Sequence, residues 1–260
     1  MKKACEKDKI TILNFLRKDI ANALYMYIDI KKYGLLNENV DVWYEDKTNC
    51  LSTVIMRYHN SITIYSKDSS LIFDDVLSII NNYNVTIVNG NYESITNFAK
   101  YLKKEVDSIG YVFKLYACSN GYYSDVRIEK PKKEDFDEIA RLICDDKTFN
   151  KLYNINEIKT QLLSRLNDGF GRNYIIKDQN KIIGHIATYA EFDGIAITSG
   201  LVVDKNYQNG IYGAMLERYL INTLIDENFE VYTFVTNRIR KKYLEVNKNK
   251  LVGYYSRIIL

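Results

Sequence analysis

The chain has 260 residues, of which 47% are apolar and 27% are charged, and this balance excludes general disorder. Its formal net charge of +3, from 36 basic and 33 acidic residues, does not favour nucleic acid as a partner. No apolar run approaches the roughly 18 residues that cross a bilayer, and the charged residues 1–8 lack the apolar core of a signal peptide behind them. We therefore expect a cytoplasmic protein without a membrane partner.

The cysteines and histidines predict no metal chemistry. The four cysteines are widely separated and form no CxxC pair, so we expect free thiols. His59 and His185 are too few and too distant in sequence for a zinc site. His185 lies in an alternating segment and is interpreted as a core or edge histidine, with a role as a base as the alternative.

The first part of the chain predicts alternating helices and strands. An apolar face at spacings of three and four predicts an opening helix that stops at Gly34. His59-Asn60 predicts a tight turn between two strands, and Asn89-Gly90-Asn91 is interpreted as breaking a third strand. The predicted elements after the opening helix are strands 40–44, 51–58, 61–65, 85–88 and 109–117 and helices 73–82 and 92–106.

A hydrophilic junction at 119–125 separates two predicted domains, 1–120 and 125–260. In the second, Asp193-Gly194 predicts a type I′ hairpin turn, since both residues tolerate positive φ. The predicted elements of this domain are strands 126–129, 173–177, 181–190, 195–203, 230–235 and 251–259, and helices that include residues 136–143, begin near 154, and cover 210–226 and 238–246. This order mixes antiparallel hairpins with βα crossovers and predicts a mixed α/β fold.

The segment most informative about function runs from 199 to 216. An apolar strand ends in a polar loop, and the loop opens an amphipathic helix with Gly210 and Gly213 at its start. Small residues there let backbone N–H groups approach a ligand, and the helix dipole favours an anion such as a diphosphate. A capped helix with two packing glycines would give the same pattern. The sequence has neither GxxxxGK[ST] nor GxGxxG, so a triphosphate or dinucleotide is less favoured.

The run from Val203 to Gly213 resembles the acetyl-CoA pyrophosphate loop of the GNAT superfamily of N-acetyltransferases, whose pattern is V-x-P-x-[YF]-[RQ]-x-x-G-x-[GA]. The element order of residues 126–260 is also similar to that fold. Lys205 replaces the usual proline, and the loop is one residue short. Either Ile211 takes the first glycine position and Gly213 the second, or Gly210 is the first after a deletion.

The resemblance implies a mechanism and a set of site residues. Acetyl-CoA, the expected cosubstrate, would lie between strands 195–203 and 230–235, and a backbone N–H near Val202 would polarise the thioester carbonyl. Tyr243 is the expected general acid and Glu191 the expected base, although a packing tyrosine and a solvated turn glutamate would look alike in sequence. Asn237 would contact the CoA arm or cap a helix. The expected cofactor-binding residues are Leu201, Val202, Val203, Gln208, Asn209, Gly210, Ile211, Tyr212, Gly213 and Asn237.

The resemblance therefore implies an acyltransferase that acetylates a small-molecule or peptide amine without a metal. The alternatives are a CoA-binding regulatory or scaffold protein without turnover, and a related acyl or aminoacyl transferase. Residues 1–120 resemble a degenerate GNAT domain with no convincing pyrophosphate loop. This gives two similar domains in tandem, of which the first would shape the amine pocket or hold a homodimer. An unrelated α/β domain is the alternative for that part.

Overall fold

A computed structural model describes residues 1–35, 37, 40–47, 50–67, 72–118, 128–146, 154–208 and 211–260. The elements before the predicted junction are β1 (Lys2–Lys3), α1 (Lys9–Arg17), α2 (Ile20–Tyr33), β2 (Val40–Lys47), β3 (Cys50–Tyr58), β4 (Ser61–Ser66), α3 (Phe73–Tyr83), β5 (Ile87–Asn91), α4 (Tyr92–Leu102) and β6 (Ser108–Leu115). Those after it are β7 (Ile128–Glu129), α5 (Phe136–Asp145), α6 (Ile155–Asn167), β8 (Asn173–Asp178), β9 (Lys181–Phe192), β10 (Ile195–Val203), α7 (Tyr212–Asp226), β11 (Glu230–Val235), α8 (Arg238–Val246) and β12 (Lys250–Ile259).

These elements form two compact units. Unit 1 contains residues 1–113, 235–246 and 250–260, and unit 2 contains residues 114–234 and 247–249. The final strand β12 belongs to unit 1 because it pairs antiparallel with β5, from Tyr255–Asn91 to Ile259–Ile87. The compact units therefore differ from the predicted ranges 1–120 and 125–260, and the predicted junction lies within 119–127, outside the described residues.

In unit 1 the strand order is β1-β2-β3-β4-β5-β12-β6. The helices α3 and α4 bury apolar faces on this sheet, and their side chains form one core with residues from β3, β4, β5 and β12. This core includes Ile55, Ile64, Val88, Phe98 and Ile258, each 0% exposed. Burial of that apolar surface is the main stabilising contribution to the unit.

In unit 2 the strand order is β11-β10-β9-β8-β7. The helices α5 and α6 pack on one face of it, with Phe136, Ile139, Ile175 and Val202 in a common core. The turn between β9 and β10 has Asp193 at φ 53° and Gly194 at φ 72°. Two positive φ angles are those of a type I′ turn, so the hairpin prediction is confirmed.

Three local predictions need correction. The opening helix is two helices, because Asp19 leaves helical geometry and its carboxylate accepts hydrogen bonds from Tyr65 (3.0 Å) and Asn22. Gly34, at φ 75°, ends the second of them as predicted. Asn89-Gly90-Asn91 does not break a strand, since these residues form the end of β5. The helix predicted over 92–106 ends at Leu102, where Lys103 adopts a left-handed conformation.

Candidate functional site

A free strand edge is the central feature of unit 2. The strands β10 and β11 are parallel, and their ladder runs from Ile195–Glu230 to Thr198–Thr233. Beyond Thr198, β10 continues to Val203. A strand that outlasts its ladder presents unpaired N–H and C=O groups that another extended chain can pair with. The segment Ser199–Val203, called here the free edge, lies beyond the β11 ladder and can offer its backbone to such pairing. Two of its carbonyls already accept hydrogen bonds, that of Gly200 close to His185 Nδ1 and that of Val203 from Gln208.

The side chains of the free edge point to both faces of the sheet. Val202 is 3% exposed and packs in the core below α5 and α6. Leu201 and Val203 are half-buried. The side chains thus fix the position of the strand, and the cofactor-binding role of these three residues stays a prediction.

A β-bulge distorts the free edge. Opposite β9, Ser199 pairs with Ala187 and Val202 with His185, so three residue steps on β10 face two on β9. Gly200, in the bulge, has φ +64°, a conformation that favours glycine. The buried ring of His185 contacts the bulge, with Nδ1 2.9 Å from the Gly200 carbonyl oxygen and Nε2 3.0 Å from Asn173 Oδ1. Burial lowers the pKa of His185 to about 4, so the ring is neutral near pH 7.

The loop after the free edge is held by Asp204. This carboxylate accepts hydrogen bonds from Lys181 (2.6 Å) and from the backbone N–H of Asn206 (2.9 Å). The Lys181 bond and the Asn206 N–H lower the pKa of Asp204. The Tyr207 hydroxyl donates to Asp178 at 2.6 Å, and Gln208 donates to the Val203 carbonyl at 3.2 Å. Gln208 therefore stabilises its own loop in this structure.

The first turn of α7 follows this loop. Ile211 occupies the N-cap position, 46% exposed, and makes no side-chain capping hydrogen bond. The first turn has no acidic residue, and half-buried Tyr212 and Gly213 begin the helix. A Cβ at Gly213 would lie 3.4 Å from Val203 Cγ2, so the helix start lies against the end of β10. Amides in this position favour an anionic ligand. The predicted contacts Asn209 and Gly210 fall outside the described residues.

Two further predicted residues belong to unit 1. Asn237 is exposed, and its side-chain oxygen accepts from the backbone N–H groups of Ile239 (2.7 Å) and Arg240 (3.3 Å), so it caps α8. Tyr243 is half-buried on α8, and the Arg240 guanidinium lies 5.0 Å from its ring centroid. The cofactor role of Asn237 and the catalytic role of Tyr243 stay predictions.

The predicted base Glu191 lies in an ion-paired cluster. Its carboxylate accepts two hydrogen bonds from Arg172, at 2.6 and 2.7 Å, and one from the Thr188 hydroxyl at 2.6 Å. Glu191 is opposite Ala196, six residues before Val202, which is roughly 20 Å along the strand at about 3.3 Å per residue. Its role as a base stays a prediction, and this geometry favours a structural role.

The sequence predictions did not assign a role in the site to Gly200 or a contact with the bulge to His185. Gly200 carried a usable signal, since an isolated glycine within a strand pattern often marks a bulge. The sequence predicted a core or edge position for His185, and the ring is a core one with 0% exposure, but its contact with a residue 15 positions away had no local signal.

The part of the chain that the structure describes contains neither a metal-binding cluster nor a membrane-spanning helix. No group of three or more His, Cys, Asp or Glu side chains within them is placed to hold a metal ion. No helix among the same residues combines the length and apolar character needed to span a membrane.

Comparison with known sequences gives one family match, which lies within the second half of the chain. Residues 136–245 match the model of the acetyltransferase (GNAT) family. This stretch is a GNAT domain. It contains the free edge, the loop and α7, so the sequence resemblance noted for Val203–Gly213 is confirmed at the level of the family. No curated protein matches the chain.

Solved structures extend the likeness from the GNAT domain to nearly the whole chain. A Drosophila protein aligns with a TM-score of 0.69 at 10% identity, over 100% of this chain and 98% of that one. A GCN5-related N-acetyltransferase from Sphaerobacter thermophilus aligns with 0.67 at 9% identity, over 98% and 93%. A tandem GNAT protein from the clavulanic acid biosynthesis pathway aligns with 0.63 at 8% identity, over 98% and 96%. At such low sequence identity these alignments show similarity of fold alone, and they confirm the predicted tandem GNAT-like mixed α/β fold.

Proposed function

We propose that this protein is an acetyl-CoA-dependent N-acetyltransferase that transfers an acetyl group to a primary amine. Two features of the GNAT domain carry the proposal. The free edge Ser199–Val203 is followed along the chain by the N-terminus of α7, and the N-cap residue of that helix makes no side-chain capping hydrogen bond. An extended arm can pair with the first, and a diphosphate can accept N–H bonds at the second. CoA carries both groups in that order.

Acetyl transfer requires three chemical events. The amine nitrogen bonds to the acetyl carbon while the C–S bond breaks, the amine loses one proton, and the departing thiolate gains one. A backbone N–H of the free edge stabilises the negative charge that develops on the thioester oxygen, since a fixed donor needs no reorganisation. Alignment of both reactants along β10 removes much of the entropic barrier.

The proton-transfer groups are part of the proposal. Tyr243 is our proposed donor to the thiolate, and Asn237 our proposed contact to the CoA arm, both on the family resemblance. Glu191 is the proposed base from the sequence, although its bidentate pairing with Arg172 occupies both oxygens. We further propose a cytoplasmic protein, a small-molecule or peptide amine as acceptor, and a homodimer as its assembly.

A second candidate is a CoA-binding regulatory protein without turnover. The ion pair of Glu191 with Arg172 favours it, because both carboxylate oxygens already accept hydrogen bonds within the protein. The binding site would be the same in both cases, so only turnover distinguishes them.

Calorimetry with acetyl-CoA followed by a thiol-release assay over a panel of amines tests the proposal. We expect saturable binding of acetyl-CoA and thiol release that depends on one class of amine. Binding without release on any amine would favour the regulatory protein. The absence of binding would contradict both candidates.

A further inference from the structure

The bulge on the free edge needs a partner for its displaced backbone. Gly200 and Leu201 have no register partners on β9, between the pairs Ser199–Ala187 and Val202–His185. A carbonyl that leaves a ladder inside a protein must find another donor, since an unpaired buried acceptor costs about 1–3 kcal/mol. The Gly200 carbonyl finds it in His185 Nδ1, at 2.9 Å.

The contacts of His185 define its tautomer. A carbonyl oxygen only accepts, so Nδ1 carries the proton. The ring is 0% exposed and neutral, and Nε2 is therefore an acceptor. The carboxamide of Asn173 is 4% exposed, and the oxygen Oδ1 is placed 3.0 Å from Nε2. Since two acceptors cannot share a hydrogen bond, the carboxamide is assigned here with its oxygen and nitrogen exchanged, so that the N–H₂ group donates to Nε2. In that orientation Asn173 is compatible with the tautomer that the Gly200 carbonyl requires.

Shape supports the same pairing. A Cβ added at Gly200 would lie 3.3 Å from His185 Cε1 and 3.6 Å from Nδ1. The ring therefore occupies the space above the glycine, and the positive φ of Gly200 turns its carbonyl to the ring. An apolar side chain at position 185 would fill this space but leave the carbonyl without its donor.

We propose that His185 is a positioning residue that holds the Gly200 bulge, and with it the backbone N–H groups of the free edge, in the orientation that receives the acetyl thioester. The inference rests on the proposed acetyl-CoA-dependent function. His185 touches no reacting atom. It acts through the backbone of β10, and Asn173 acts through His185.

Two substitutions of His185 test the contacts of its two ring nitrogens separately. His185→Asn places an amide nitrogen near the position of Nδ1 and keeps a donor for Gly200. His185→Gln places its amide near Nε2, keeps the contact with Asn173 and removes the donor to Gly200. Both are neutral and polar, so a thermal melt should shift similarly for both and serves as the stability control.

Two readouts test the role of the ring. Calorimetry and steady-state kinetics with acetyl-CoA should give an affinity and kcat within about threefold of wild type for His185→Asn. They should give a loss of roughly ten- to a hundredfold for His185→Gln, below the cost of removing an oxyanion donor outright. Nuclear magnetic resonance of labelled glycine and histidine should show an Nδ1–H ring, with the Gly200 signal moved in His185→Gln only.

Different results would overturn the positioning role of His185 and the proposed function of the protein. Equal affinity and an unmoved Gly200 signal in His185→Gln, or an Nε2–H ring in the wild type, would overturn the positioning role. A wild-type protein that binds no acetyl-CoA would instead overturn the proposed function, and the resonance of Gly200 in the two variants would then decide the role of the ring in the bulge.

Discussion

Arg172 binds two carboxylates at once, and this pairing indicates a structural role for Glu191. Its guanidinium donates to Glu191 and, at 2.6 and 2.8 Å, to Glu227. The bond to Glu227, above all, raises the pKa of Arg172, and the Arg172 bond lowers the pKa of Glu227. Glu191 is the more buried partner, with a side chain 9% exposed against 45% for Glu227. The cluster joins β9 to the chain after α7, which is a structural task.

We expect Glu191→Gln to lower the free energy of unfolding by about 1–3 kcal/mol, because it leaves half-buried Arg172 with one charged partner. Glu227→Gln, at the exposed end of the same guanidinium, is the matched control and should cost less. Denaturant unfolding measures both. If Glu191 is the base, Glu191→Gln will also lower kcat by roughly 10²–10⁴-fold while Glu227→Gln leaves kcat unchanged.

His185 makes the stability of the protein depend on pH. Burial holds its folded-state pKa at about 4, below the ordinary value of 6.5, so between these values the unfolded chain binds the extra proton. The free energy of unfolding should therefore fall as the pH drops from about 6.5 towards 4. Denaturant unfolding from pH 7.5 to 5 measures this, and His185→Asn should flatten the curve. His59→Asn, at an exposed turn, is the control, and an equal effect there would contradict the assignment.

Single residues also show how far the sequence could predict the site. The place of Val202 in a strand and of Gly213 at a helix start follows from local strand and helix patterns, and both residues lie there, while their cofactor roles stay predictions. The partnership of His185, Gly200 and Asn173 joins three strand positions through tertiary pairing and side-chain geometry. No periodicity carries that information.

At the scale of elements, α7 is the part of the site whose charge is easiest to change. Gly213→Asp adds a side chain and a negative charge in its first turn, 3.4 Å from Val203 at the Cβ. Gly213→Asn adds nearly the same volume without the charge. We expect Asp to weaken acetyl-CoA binding roughly tenfold more than Asn does, which is about 1.4 kcal/mol for a charge near a diphosphate. Calorimetry at low and high salt measures it, and equal affinities would mean that the diphosphate binds elsewhere.

The elements that the sequence predicted well carry their own local signals. An Asp-Gly turn predicts the β9–β10 hairpin, a 3.6-residue apolar pattern predicts α7, and a short apolar run predicts β11. The failures have non-local causes. The side chain of Asp19 is held by Tyr65 from β4, which divides the opening helix, and Asn89 to Asn91 extend β5 because β4 and β12 flank them.

At the scale of the whole molecule, the same element order occurs twice along the chain. The series β3-β4-α3-β5-α4-β6 in the first half matches β9-β10-α7-β11-α8-β12 in the second. In both series the strand before the first helix pairs antiparallel with its predecessor and parallel with the strand after that helix. The sequence predicted the duplication but not the pairing of β12 with β5, because a terminal strand carries no local mark of its partner.

The two parallel pairs differ where a cofactor arm would enter. In unit 2, β10 runs on past Thr198–Thr233 with a bulge. In unit 1, β4 ends at Ser66, two residues after its last pair with β5, and its register with β3 is regular. The carboxamide of Asn91 there accepts from the Ser66 N–H and donates to the Ser66 carbonyl, both at 3.1 Å. These are the backbone groups that an extended ligand would need.

We therefore expect one molecule of acetyl-CoA per chain. In unit 1 the backbone groups of Ser66 already bind the Asn91 side chain, whereas in unit 2 the free edge lies beyond the last pair of the β10–β11 ladder. Calorimetry with a verified active-protein concentration should give a stoichiometry near one. Gly213→Asp should weaken that single event and uncover no second one, whereas Asn91→Ala should leave affinity and stoichiometry unchanged apart from a lower melting temperature. A wild-type stoichiometry near two, or a site that survives in Gly213→Asp and disappears on substitution in β4, would show that the first half also binds the cofactor.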